Sequence, residues 1–174
     1  MSDRSRWMAL ALAATLAMSP LVACGGSGSG EAATSETEEA ETTNVANPFV
    51  DCESAYEASQ LAGFEVTFPE SVPGYSERSY QAIEGELVQC IYSEGESRVL
   101  VRKGLDDGSG DISGDYNEYG ETSKVTVGDV EVTERGDGAT VSVAIWTRGE
   151  YAFAIDADEG LELEVIEQLV AATL

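Results

Sequence analysis

Leu87-Val-Gln-Cys-Ile-Tyr-Ser-Glu-Gly-Glu-Ser-Arg-Val-Leu-Val-Arg-Lys103 reads as two strands, 87–93 and 97–103, joined at Glu94-Gly95, a short glycine-containing turn of the kind that closes β-hairpins. In the second strand Val99 and Val101 alternate with Arg98, Leu100 and Arg102. One face is therefore apolar and the other wetter, as in an antiparallel sheet packed on one side only. Residues 75–83 extend the hairpin upstream across Glu84-Gly85 into a meander. Downstream, residues 122–127, 130–134, 139–147 and 151–156 form a second meander, punctuated by Gly128-Asp129, Gly136-Asp137-Gly138 and Arg148-Gly149.

Helices bracket the two meanders. Ser54-Ala-Tyr-Glu57 is a capping box, in which the serine hydroxyl accepts from the third helical N–H and the glutamate reaches back. A short helix over 55–62 follows, with Ala55, Ala58, Leu61 and Ala62 on its apolar face and Gly63 as its left-handed stop. Residues 64–68 alternate Phe, Val, Phe with Glu and Thr and read as a strand, ended by Pro69 and Pro73-Gly74. After Gly160, Leu161, Val165, Ile166, Leu169, Val170 and Leu174 recur at threes and fours, an amphipathic helix laid on the sheet. The expected fold is α+β: a curved, largely antiparallel sheet of seven or eight strands with an N-terminal and a C-terminal helix packed on it.

The first 47 residues are of another kind. Arg4 and Arg6 precede an apolar run over 7–18, too short for the roughly 20 residues that span a bilayer. Leu21-Val22-Ala23-Cys24 then reads as a lipobox, so residues 1–23 are expected to be a lipoprotein signal peptide and Cys24 the lipidated N-terminus. Two or three acyl chains on one residue meet the requirement for stable anchoring. The expected location is the extracytoplasmic face of the cell membrane. Residues 24–47 run through Gly-Gly-Ser-Gly-Ser-Gly into a Glu/Thr/Ala tract with no apolar period, a tether with a reach of roughly 25 to 30 Å. Residues 48–174 are left as a single globular domain.

Composition narrows the function. The 174 residues carry 33 acids, 9 bases and no histidine, a formal charge of -24. Nucleic acid and anionic lipid would repel such a domain, whereas cationic partners remain open beside a plain role in solubility. Without histidine, Ser-His-Asp and Cys-His catalysis and His-ligated zinc are excluded. No phosphate-binding glycine loop or dinucleotide fingerprint is present, and no cofactor is expected.

With Cys24 lipidated, Cys52 and Cys90 remain as one pair. Outside the cytoplasm it should be oxidised, closing a loop of about 38 residues worth roughly 3 to 4 kcal/mol. The alternative is a redox nucleophile at Cys52, just ahead of a helix N-terminus. Residues 104–115 form a long loop in which Asp107, Asp111 and Asp115 could offer oxygens to a weakly held Ca²⁺, although the EF-hand spacing is not met. Tyr116, Tyr119, Trp146, Tyr151 and Phe153 are either core packing or, if the sheet curves, one face lining a groove for an apolar or peptide-like ligand.

Asn47-Pro48-Phe49, Ala62-Gly63-Phe64, Pro73-Gly74-Tyr75, Asp111-Ile-Ser-Gly-Asp-Tyr-Asn-Glu-Tyr119, Val127-Gly128 and Trp146 followed by Gly149-Glu-Tyr151 resemble a domain-of-unknown-function family of exported Gram-positive lipoproteins and anti-sigma-associated proteins. The resemblance spans residues 48–174 and implies a fold like the half-barrel of periplasmic lipoprotein carriers. It brings no catalytic residues. The reading that follows is a monomeric, membrane-anchored binding domain for an envelope protein or an apolar or cationic ligand, and not an enzyme. The alternatives are a carboxylate-dependent cell-wall hydrolase, for which no catalytic pair can be named, and a passive calcium-binding surface protein.

The anchor is directly testable. Replacing Cys24 by Ser is expected to abolish incorporation of labelled palmitate and to move the protein from the membrane to the soluble fraction; membrane retention by the variant would remove the lipobox reading.

Overall fold

In a computed structural model, residues 47–174 are described, so the expected signal peptide, Cys24 and all of the expected tether but Asn47 lie outside the described residues. The elements in chain order are β1 (Val50–Cys52), α1 (Ala55–Ala62), β2 (Glu77–Ile83), β3 (Leu87–Glu94), β4 (Ser97–Leu105), β5 (Glu121–Val127), β6 (Val130–Gly136), β7 (Val141–Arg148), β8 (Tyr151–Leu161) and α2 (Leu163–Thr173). They build one antiparallel sheet of eight strands in the order β1-β2-β3-β4-β8-β7-β6-β5. The expected α+β architecture of a largely antiparallel sheet with an N-terminal and a C-terminal helix is the one observed.

Both meanders form as hairpins and meet where β4 pairs with β8, in a register running from Val99 opposite Ala157 to Leu105 opposite Tyr151. Because side chains alternate along each strand, this register aligns one continuous apolar face. Cys90, Val101, Ile155 and Ala144 lie in one row across the sheet, and all are fully buried. Ile166, Leu169 and Val170 of α2 close over this core face, and Ala58 and Ala62 of α1 pack against Ala82 and Val88. Trp146 and Phe153 stack there with ring centroids 5.3 Å apart.

Local chemistry sets α1. Ser54 Oγ accepts from Glu57 N at 3.2 Å, and Gly63 takes φ 79°, its N–H returning to Ser59 O at 2.9 Å. Glu57 reaches back one residue farther than the simple box requires, accepting from Glu53 N at 2.7 Å. Gly136 has a different reason to be glycine: a Cβ there would stand 2.0 Å from Thr140 O, where β6 and β7 shift register at a bulge.

Three expectations need correction. Residues 64–68 are extended but join no strand; Phe64, Val66 and Phe68 pack on the α1 cluster, so their period of two reflects burial of alternate side chains without a hydrogen-bonded ladder. The last helix begins at Leu163, because β8 runs on to Leu161. The third correction is the disulfide, since Cys52 and Cys90 both carry free thiols. Cys52 pairs with Tyr80, and Tyr80 pairs with Cys90 on its other side. A whole strand therefore separates the cysteines, about 10 Å from backbone to backbone, whereas a disulfide needs Cα atoms about 4.4 to 6.8 Å apart.

Neither thiol is activated. Burial pushes the Cys90 thiol up to about 11. Burial, with the carboxylates of Glu57 and Asp51, also raises Cys52 against a backbone hydrogen bond at Ala82, the direction that disfavours the thiolate a redox nucleophile needs. Reduction of the purified full chain is accordingly expected to leave its mass unchanged. At pH 8 an alkylating reagent should label Cys52 slowly and Cys90 only after denaturation, as mapped by peptide mass; a Cys52 to Cys90 crosslinked peptide would overturn the register.

Candidate functional site

The other sheet face is polar and is crossed by residues 106–120, which link β4 to β5. A chain of hydrogen bonds ties strand to strand and sheet to loop. Gln81 Nε2 donates to Asp51 Oδ1 at 2.7 Å, Gln89 Nε2 to Gln81 Oε1 at 2.6 Å, and Arg102 Nε to Gln89 Oε1 at 2.8 Å. Arg102 Nη1 then donates to the carbonyls of Ile112 and Ser113. From the loop, Asp111 Oδ2 accepts from Arg135 Nη2 on β6 at 2.8 Å. The guanidinium of Arg102, with its pKa lowered by burial, is the bolt of this assembly.

The loop's own aspartates hold its shape. Asp106 Oδ1 accepts from Gly108 N and Gly110 N, Asp107 Oδ1 from Ser109 N, Asp111 Oδ1 from Ser113 N and Oγ, and Asp115 Oδ1 from Asn117 N. These are successive turns in which a short carboxylate caps the backbone two residues on. The calcium reading of Asp107, Asp111 and Asp115 gains no support from this arrangement: their Oδ1 atoms are turned onto separate backbone donors, and Oδ2 of Asp111 and of Asp115 onto side chains. Among the described residues no group of three or more acidic or cysteine side chains converges as a metal site.

The aromatic face divides in two. Trp146 and Phe153 are buried on the core face beneath α2, 2% and 4% exposed. Tyr151 lies on the same face, where its ring meets Phe64 at 5.1 Å. Lys103 fills the space between these rings: its ammonium stands 4.2 Å from the Tyr151 ring, 5.4 Å from Phe64 and 5.7 Å from Phe153, and donates to Glu65 O at 2.7 Å. The cage already holds its cation, and burial lowers the Lys103 pKa. Tyr116 and Tyr119 belong to the opposite, loop-covered face, so no single ligand face joins the five aromatics.

What does assemble on the loop face is an acidic groove of about 390 Å³, lined by Gly114, Asp115, Tyr116, Asn117, Tyr119, Asp156, Ala157 and Asp158. Tyr116 projects into solvent, 95% exposed. The Tyr119 hydroxyl donates to Asp115 Oδ2. Burial raises the Asp156 carboxyl, and the charge of Asp115 raises it further, against the pull of Arg102. Asp115 is itself opposed by burial but held below the usual carboxylate value by hydrogen bonds from Tyr119 and Asn117. Asp158 pairs with Arg98 at 3.3 Å. The groove can thus present negative charge beside two phenol rings, the chemistry that receives a cation.

Sequence reasoning located Tyr116, Tyr119 and Asp115 but not Asp156 and Asp158. The available signal was the alternation of β8: with Ile155 and Ala157 in the core, Asp156 and Asp158 must face the other way. Glu134 was also missed. It stands on the core face in the row of Ala144 and Ser123, only 2% exposed, with Oε1 lacking any partner among the described residues. Comparison with known proteins places no relative beside this arrangement: no family model matches the chain, nor does any curated protein or solved structure.

Proposed function

We propose that the chain is a lipid-anchored extracytoplasmic binding protein whose acidic groove receives a cationic ligand, such as a polyamine or a lysine-rich segment of an envelope partner. The observation that carries this reading is Asp156, partly buried between Asp115 and Asp158 in a groove rimmed by the exposed ring of Tyr116. A carboxylate drawn out of water is disfavoured in its charged form until an opposite charge arrives. An arriving ammonium would gain a partly desolvated carboxylate and a ring face together. The lipobox at Cys24 supports the location, and the charge of -24 supports the ligand's sign, since long-range attraction gathers cations to the domain.

A second reading draws on the same pair. Asp156 is held up and Asp115 down in one groove, the division that a glycoside hydrolase makes between its acid and its base or nucleophile. Both Asp115 oxygens are already taken by Asn117 and Tyr119, which favours binding over catalysis.

Calorimetric titration of the full chain with a tetralysine peptide tests the proposal. The expected result is binding that strengthens as pH rises through the elevated Asp156 value, and weakens at least tenfold in Asp156→Asn. The same substitution should leave the ligand-free protein no less stable at pH 7. A carboxyl raised on folding contributes stability below its unfolded pKa and loses it as pH rises, so amidation removes a penalty there. Equal binding by the variant, or no preference over fully acetylated peptide, would reject the groove as the site. Release of reducing sugar from cell-wall glycan, lost in Asp156→Asn, would establish the second reading instead.

A further inference from the structure

On the core face, away from the groove, a cavity of about 150 Å³ opens between the first turn of α2 and the β5-β6-β7 end of the sheet. Glu134 lines it together with Ser123, Val125, Val141, Leu163 and Glu121. Glu134 is almost wholly enclosed; Ser123 Oγ donates to its Oε2 at 3.3 Å, and Oε1 has no partner among the described residues. A buried carboxyl oxygen left unpaired has lost its hydration with nothing in return, and nothing in the packing of the sheet requires an acid there: Ala144 is its neighbour in the row. Val125, Val141, Leu163 and Ala139 supply the cavity's apolar lining, Thr140, Gly136 and Gly138 complete the wall, and Arg135, which also lines it, has its guanidinium engaged by Asp111; the volume matches about five water-sized units.

We propose that this cavity binds a short alkylammonium group, its chain against Val125, Val141 and Leu163 and its N–H donors on Glu134. The match is one of three properties. The apolar walls accept methylenes, the unpaired oxygen accepts an N–H, and Glu121 at the lining with Glu167 of α2 nearby supplies a field that favours a positive charge. Neutral polar ligands would satisfy the oxygen but not use that field, and anions would be repelled. Burial first, and the charge of Glu167 second, raise the Glu134 carboxyl, against the hydrogen bond from Ser123. When an ammonium enters while Glu134 is protonated, the carboxyl proton leaves to solvent and the ammonium keeps its own, so binding releases up to one proton.

The same chemistry has two sources, a free small amine or the lysine side chain of another protein. The test titrates n-butylammonium, Nα-acetyl-lysine-N-methylamide and n-butanol into the full chain, by calorimetry in buffers of different ionisation enthalpy and by amide chemical shifts at Val125, Val141 and Leu163. The expected result is one-to-one binding of n-butylammonium, at least tenfold tighter than n-butanol, with net proton release and at least a tenfold loss in Glu134→Gln. Binding of the lysine amide as well would support a protein side chain as source, and binding of the free amine alone a small ligand. Butanol binding as tightly as butylammonium, or no shift at the three residues at 10-fold excess over the millimolar range ordinary for so small a ligand, overturns the proposal. Should Glu134→Gln fold poorly by thermal melt, Leu163→Trp, which fills the mouth from a largely exposed position, is expected to block binding; unimpaired binding by that variant also overturns it. Asp156→Asn should leave this site untouched, which separates it from the groove.

Discussion

The antiparallel pairing of β4 with β8 is the constraint on which the rest of the structure depends, because it joins two independent meanders that neither half could bury alone. A hairpin is local: its turn brings the strands together at little entropic cost. The β4-β8 ladder instead links residues some fifty positions apart, from Val99 opposite Ala157 to Leu105 opposite Tyr151. Its register aligns Val99 and Val101 with Ala157 and Ile155, giving α2 one wide apolar surface to cover. A slip of one residue would turn Arg98 and Arg102, if β4 moved, or Asp156, if β8 moved, into that core.

The same register creates the polar face. With valines and isoleucine turned inward, Arg102 and Asp156 must face outward, where residues 106–120 cross the sheet. Arg102 binds two carbonyls of that segment, Arg135 binds Asp111, and the loop's aspartates cap its own turns. So dense a use of carboxylates as local caps explains how an acidic loop can hold its conformation without a cation. It also explains why the acid that remains available, Asp156, is on a strand: its direction is dictated by the ladder, and no backbone donor of its own turn consumes it, whereas Asp158 beside it accepts from Arg98.

Two buried polar atoms stand out against an otherwise satisfied interior. Glu134 Oε1 and Trp146 Nε1 both lack partners among the described residues. Both lie on the core face, on the neighbouring strands β6 and β7. Native interiors rarely tolerate such atoms without an occupant or a purpose. At Glu134 a cavity of matching chemistry adjoins, which is why the acid there is read as a binding group and the acids of the loop are not.

Much of the fold was legible from local chemistry. The alternation of Val99 and Val101 with Arg98 and Arg102, the glycine turns, the Ser54 cap with the Gly63 stop, and the three-four spacing of Ile166, Leu169 and Val170 each express a rule acting within a few residues, and each element formed, the last helix two residues later than its spacing put it. The address proposed from Leu21 to Cys24 rests on an equally local pattern. What only the tertiary structure decided were relations across distance. Strand order inserted Tyr80 between Cys52 and Cys90 and kept their thiols apart. Alternation in β7 and β8 sent Trp146 and Phe153 under α2, while Tyr116 and Tyr119, in a loop without such alternation, went to the opposite face. Asp156 and Glu134 became special only through what packs beside them. Spacing along a chain specifies how a segment presents its side chains, but which segments become neighbours follows from burying all the apolar faces at once.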